Sequence, residues 1–275
     1  ALKDIYSKYL KRGYTAVSFE SRGVEEGALQ IRINEGTINK INIEGITKTA
    51  PGVVWNRLKL EEGKPLNQNL LKSSRRRLLD LGYFNQVNPE VTNSDAGIDV
   101  TFNIKEKSRL GSARGALSWS GGGLAGNLTV SRKNILGLGQ DLSVSIERGL
   151  SLKSPISGSV DWKNYYFPSD YDYTKTSIYR RSEDIGEESI IKQGGEFGIG
   201  YPLGSNFSLD LNYNLEKVIR PGSKVSDSES HIVSTSLNYD DRDNPLFPTE
   251  GGKRTLNIKK AGGFAPGEEF SKLRT

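Results

Sequence analysis

FSLDLNYNLE, residues 207–216, alternates apolar and polar side chains without a break. Phe207, Leu209, Leu211, Tyr213 and Leu215 stand against Ser208, Asp210, Asn212, Asn214 and Glu216. A period of two over this length predicts a strand with one apolar and one polar face. The pattern recurs on either side: Leu142, Val144 and Ile146 against Ser143, Ser145 and Glu147, and Val233, Leu237 and Tyr239 against Ser234, Asn238 and Asp240. It predicts about nine strands, near 109–120, 124–133, 140–149, 153–164, 171–182, 189–202, 205–217, 229–241 and 252–262. Strands in soluble sheets average about 5–6 residues, and many of these are longer. A lipocalin-like soluble barrel shares the alternation, but strand length and aromatic placement favour a transmembrane β-barrel.

The connections carry the aromatic signal. If the first strand runs outward, NILGLG, NYYFPSD, PLGSN and DRDNPLFPTEGG all lie on the periplasmic side. Trp162, Tyr165, Tyr166, Phe167, Tyr201, Tyr239 and Phe247 cluster at or near them, as an interfacial girdle requires.

Before about Ser108 the texture is different. Asn67 followed by QNLLKSSRRRLLDLGYF predicts a helix with Asn67 as N-cap and Gly82 just past its end. Leu70, Leu71, Leu78 and Leu81 share a face, which leaves Arg75, Arg76 and Arg77 largely outside. A strand at 39–44 and a shorter helix at 51–60 precede it; strands at 85–92 and 97–107 follow. The order is β-α-α-β-β. An incomplete copy opens the chain, because IYSKYLKRGYT matches RRRLLDLGYF, with Gly13–Tyr14 against Gly82–Tyr83. Leu29, Ile31 and Ile33 match Ile98, Val100 and Phe102 at the same offset.

Composition excludes several chemistries. The 275 residues contain no cysteine and one histidine, His231, so disulfides, thiolate sites and histidine-based zinc or Ser–His chemistry lack their residues. Net charge is +5, with the basic excess mild and mostly in residues 1–107. The arginine run lacks the interleaved aromatics of RNA-binding surfaces, so no nucleic-acid partner is expected. GGGLAG at 121–126 is followed by a strand and reads as a glycine-rich hairpin, not a dinucleotide loop. Asp240, Asp241, Asp243 and Asn244 lack EF-hand spacing and read as turn caps. No catalytic constellation, metal site or cofactor is expected.

Together, INKINIEGITKT (38–49), RRLLDLGYF (76–84), NILGLGQ (134–140) and RDNPLFPTEG (242–251) resemble the BamA-like outer-membrane assembly factors. These carry POTRA repeats followed by a transmembrane barrel of the outer-membrane assembly-protein superfamily. The resemblance implies an α+β POTRA part and an antiparallel transmembrane β-barrel present in part. It assigns 1–36 to the C-terminal part of a POTRA domain, 37–107 to a complete one and 108–275 to the N-terminal part of the barrel. If the family's usual sixteen-stranded barrel continues, the V-R-G-F/Y motif of a late extracellular loop and an aromatic-terminated last strand are expected after residue 275.

The implied function is insertion of β-barrel clients into the outer membrane by strand templating, without catalysis. Implied partners are unfolded outer-membrane clients, outer-membrane lipid and accessory assembly lipoproteins, with the POTRA part in the periplasm. The alternatives are a translocation pore of the same superfamily, in two-partner secretion or plastid import, and a soluble β-rich binding module. Two candidate sites follow from strand-edge physics. Asn85, Gln86, Val87, Asn88 and Val91 lie on an expected POTRA edge strand open to client strands. Gly111, Ser112, Gly115 and Ser118 weaken the first barrel strand into an expected seam.

Overall fold

Asn67 begins the longest helix as its sequence predicts. Its side chain accepts from the backbone N–H of Asn69 at 2.9 Å and Leu70 at 3.3 Å, opening α3 (Gln68–Asp80). The helix ends at Gly82, whose φ of +73° needs no Cβ. This computed structural model describes residues 2–25, 28–120, 123–149, 155–166, 172–185, 188–204, 206–223, 225–244, 247–262 and 269–274. It divides into two units, residues 1–107 with 242–251, and residues 108–241 with 252–275.

In the first unit, α1 (Leu2–Lys11) precedes an antiparallel hairpin of β1 (Ser18–Glu25) and β2 (Ala28–Asn34). Gly13, with φ +91°, ends α1 as Gly82 ends α3. The two repeats join through these helix ends. Gly13 O accepts from Gln68 N at 2.8 Å, and Arg12 O from Asn67 Nδ2 at 2.9 Å. Orphan carbonyls at one helix end thus meet orphan donors at the other.

β3 (Ile38–Glu44), α2 (Pro51–Trp55), α3, β4 (Phe84–Ser94) and β5 (Gly97–Glu106) complete the predicted β-α-α-β-β order. The sheet order is β3-β5-β4, with β5 central, parallel to β3 and antiparallel to β4. Ile98, Val100, Phe102 and Ile104 of β5 are buried and pack with Val53, Leu78 and Phe84 in the core. α2 stops at Trp55, five residues short of the predicted end. Beyond it, Ser74 Oγ accepts from Lys59 N at 2.8 Å, holding the chain as a loop while Leu60 stays buried.

The arginine run departs from expectation. Arg76 is only 7% exposed, and Arg75 and Arg77 are half-buried. Arg77 Nε donates to Arg57 O at 3.2 Å, and Arg75 Nε to Val87 O at 2.8 Å. Long stems and five-donor heads let arginine reach backbone carbonyls from a helix face that periodicity marks as outer.

The second unit is one ten-stranded antiparallel meander, not closed. Its strands are β6 (Gly111–Ser120), β7 (Gly123–Arg132), β8 (Gln140–Gly149), β9 (Ile156–Asn164) and β10 (Tyr173–Ile185). They continue as β11 (Glu188–Pro202), β12 (Phe207–Ile219), β13 (Ser228–Asp240), β14 (Lys253–Ala261) and β15 (Phe270–Arg274). The sequence predicts about nine; β15, five residues long, is too short to show a period of two. Register keeps the two faces separate. Val130, Val144, Val160, Ile178, Gly195 and Leu215 stand abreast on one face. Ser131, Ser143, Asp161, Ser177, Glu196 and Asn214 stand abreast on the other. Trp162, Tyr201, Phe207 and Tyr239 share the apolar face at the predicted turn end. Phe167, Gly121 and Gly122 lie outside the described residues.

Candidate functional site

The three-stranded sheet has two edges, β3 and β4, and the candidate residues lie on β4. Asn85, Gln86, Val87, Asn88 and Val91 all fall on it, and its one strand partner among the described residues is β5. The Val87 side chain is fully buried, Asn85, Gln86 and Asn88 are exposed, and Val91 is 40% exposed.

Which backbone groups face outward follows from three separate observations. The hairpin turn closes on Ser94↔Gly97 with two residues between, so Ser94, Thr92, Glu90, Asn88 and Gln86 take the hydrogen-bonded positions toward β5. Ile98 N donates to Thr37 O at 2.9 Å, so its partner across the ladder, Asn93, sits at a non-bonded position. Arg75 reaches the Val87 carbonyl from outside the ladder. Val87, Pro89, Val91 and Asn93 therefore turn their main chain away from β5.

That parity divides the edge in two. Its beginning is already engaged, by a register shift between Phe84 and Gln86 and by Arg75 on Val87 O. Pro89 brings no N–H, but its missing donor belongs to the outward set, so the internal ladder loses nothing. The outward groups from Pro89 to Asn93 are the part left to a further strand. Arg75 was not legible as part of this site, since a charge run on a helix gives no sign that it serves a strand. Its Nη1 also donates to Asp243 O at 3.3 Å within the same unit.

The second candidate, β6, is an edge of the ten-stranded sheet and pairs with β7. Gly111 and Gly115 alternate with Ser112 and Ser118, so the four residues fall on both faces. Ser112 Oγ lies 2.8 Å from Ser131 Oγ. A Cβ at Gly115 would meet nothing within 4 Å, and at Gly111 only ordinary contacts. Packing does not demand glycine at either position.

The polar face holds an unpredicted network. Tyr173 OH donates to Asp210 at 2.8 Å and Tyr179 OH to Glu216 at 2.7 Å, each crossing β11 from β10 to β12. They cross where β11 has Gly200 and Gly194, whose absent side chains leave room for the rings. Asn238 Nδ2 adds 2.7 Å to Asp210, and Lys175 pairs with Glu196 at 2.6 Å. The glycines at 194, 198 and 200 were the available signal, a lane on one face at a period of two. His231 lies on the opposite, apolar face, 2.5 Å from Tyr213 OH through Nδ1 and 3.4 Å from Glu229 through Nε2.

Two half-sites are electrostatically distinct outside the strands. Asp243 accepts from Glu250 N, Thr249 Oγ1 and Thr249 N, which holds its carboxyl well below the usual range. Asp241 is lowered by Gly252 N–H in the same turn. These acids cap the turn. Among the described residues no acid or histidine cluster suits a metal ion.

Residues 37–107 match the POTRA family, described as a surface antigen variable number repeat, and residues 134–275 match the Omp85 superfamily domain. Outer membrane protein assembly factor BamA of Neorickettsia risticii is 28% identical over 243 residues, 82% of this chain and 32% of that protein. The chain thus spans about a third of that relative's length. BamA from Haemophilus ducreyi lacking POTRA domains 1–3 superposes with TM-score 0.54 at 20% identity, over 95% of this chain and 57% of that one. CdiB from Escherichia coli gives TM-score 0.68 at 17% identity, over 98% and 56%. The two structures share the fold.

Proposed function

The chain belongs to the Omp85 superfamily, and from that premise we propose that it assembles β-barrel proteins into an outer membrane. It does so by offering exposed strand edges to client strands, without making or breaking covalent bonds. Residues 1–36 are the C-terminal part of one POTRA domain, 37–107 a complete one in the periplasm, and 108–275 the N-terminal part of the barrel. Unfolded outer-membrane proteins are the clients, and assembly lipoproteins the accessory partners.

The observation that carries this reading is the outward parity of Pro89–Asn93 on β4. Main-chain pairing there is indifferent to most side chains, which suits a machine handling many precursors. Apposition of a few main-chain groups is weak, about 0.5–1.5 kcal/mol per hydrogen bond, so a client can leave again. A translocation pore of the same superfamily would use the polar face of the second unit. The weakly packed β6, with Gly115 facing open space, is the second surface where a client strand can pair.

The test is a photo-crosslinking side chain placed in turn at Asn85, Glu90 and Thr92 of the full-length protein, with a newly made outer-membrane client. Glu90 and Thr92 crosslink the client, and Asn85, beside the engaged part of the edge, crosslinks less. If none of the three crosslinks while positions on β6 do, edge addition at β4 is wrong.

A further inference from the structure

The apolar face of the second unit carries a groove of about 820 Å3. Val144, Val160, Ile178 and Leu215 form its walls. Gly158 and Gly195 face the same side and leave its floor without side chains. At one end, Arg180, Gln193 and Lys217 stand abreast on β10, β11 and β12, joined by register. Two strand spacings separate the cations, about 10 Å. Arg180 Nη1 lies 3.3 Å from Gln193 Oε1, and both cations are exposed. Glu229, next in the row and directly across from Lys217, lies 3.4 Å from His231 Nε2.

Charge on a membrane-facing strand is expensive at mid-depth and cheap at the boundary, about 2–4 against about 0–1 kcal/mol for Arg or Lys. The depth of this row therefore matters. On β12 the outward residues run Phe207, Leu209, Leu211, Tyr213, Leu215, then Lys217. From Phe207 to Lys217 the strand covers about 34 Å at roughly 3.4 Å per residue, or about 24 Å of depth at a tilt of about 45°. That matches the roughly 25 Å apolar band of such barrels. The aromatic pair Phe207–Tyr239, 4.8 Å between ring centres, marks one boundary. Lys217 marks the other, at head-group level, and Arg180, two strand spacings along the tilted row, differs from it by about 7 Å in depth.

We infer that this groove is a binding site for one anionic membrane lipid, its acyl chain along Val160, Ile178 and Leu215 and its phosphate between Arg180 and Lys217. The inference rests on the apolar face being lipid-facing. A planar guanidinium and a mobile ammonium about 10 Å apart at the backbone converge easily on one phosphate, each with about a side-chain length of reach. A zwitterionic lipid brings its own cation to the same place and gains less. A lipid with net negative charge is selected.

The full-length protein is placed in nanodiscs of phosphatidylcholine with phosphatidylglycerol of identical acyl chains, and lipids retained after release are counted by native mass spectrometry. Phosphatidylglycerol is retained preferentially by the parent. At roughly fivefold per cation near a membrane surface, Arg180→Gln with Lys217→Gln lowers that preference about 25-fold. Gly195→Leu, which fills the floor and leaves both charges, reduces retention of either lipid. Arg254→Gln, on the same face at the aromatic boundary, leaves the preference unchanged. A parent without preference, a double variant that keeps it, or an equal loss in Arg254→Gln overturns the site. Failure to enter nanodiscs at all overturns the lipid-facing reading instead.

Discussion

Proline at Val91 and proline at Glu90 are neighbouring substitutions with opposite expected consequences. Val91 turns its N–H outward and Glu90 pairs with Thr101 of β5. Val91→Pro removes a donor that no neighbouring strand uses, and the side chain it replaces is 40% exposed. Domain stability should change by less than about 1 kcal/mol, near the range for a surface change. The client, however, loses one main-chain hydrogen bond of about 0.5–1.5 kcal/mol, and its own carbonyl is left facing a ring. Together these cost about 1–2 kcal/mol of pairing, a five- to thirtyfold drop in crosslinking at Glu90 or Thr92. Glu90→Pro breaks the β4–β5 ladder and should cost about 3 kcal/mol of fold stability. The assay pairs crosslinking with thermal unfolding in the full-length protein. A stably folded Val91→Pro variant that crosslinks and inserts clients like the parent refutes the parity argument. So does a Glu90→Pro variant as stable as Val91→Pro.

Arg75→Met keeps the apolar stem but frees the Val87 carbonyl, so client crosslinks should extend back to Asn85 and Gln86; an unchanged pattern shows that Arg75 does not limit the edge. Glu106 gives a pH prediction. Its carboxylate is half-buried, and burial alone raises its pKa, but hydrogen bonds from Thr49, Thr47 and Lys48 outweigh this and hold it at about 2. A depressed carboxylate stabilises the fold above its unfolded value and loses that contribution as pH falls from about 4.5 toward 2. After discounting for solvent screening this amounts to about 1–2 kcal/mol, and denaturant titrations of Glu106→Gln across that interval should show a flatter pH dependence than the parent. On β11, Gly200→Ala pushes a Cβ into the Tyr173 ring and should break its bond to Asp210, lowering the unfolding temperature of the barrel part. Gly115→Ala, facing open space, should be silent in the same measurement.

Local signals were enough for most of the elements and their order. Asn67, Gly82 and the leucine spacing placed α3 because caps and periodicity are local physics. Strict alternation in 207–216 and its neighbours placed the long strands and sorted Val144 from Asp161, because a period of two fixes the face before any partner is known. The repeat offset found Gly13 as the counterpart of Gly82, and both have positive φ. β15 escaped, since five residues carry too little pattern, and α2 was drawn too long, since Ser74 claims the N–H that would continue it.

What tertiary structure alone decided is which groups meet. Sequence put Asn85–Val91 on an edge, but the hairpin register selects Pro89, Val91 and Asn93 as the outward set, and a one-residue slip would invert it. Arg75 reads as a solvated cation until α3 is laid against β4, whereupon its Nε donates to Val87 O, 12 residues away in sequence. Tyr173 reaches Asp210 only because β11 runs between them with a glycine at Gly200. Arg180 and Lys217 are 37 residues apart and become one row through two registers. Periodicity assigns a residue to a face; only the pairing of strands assigns it neighbours.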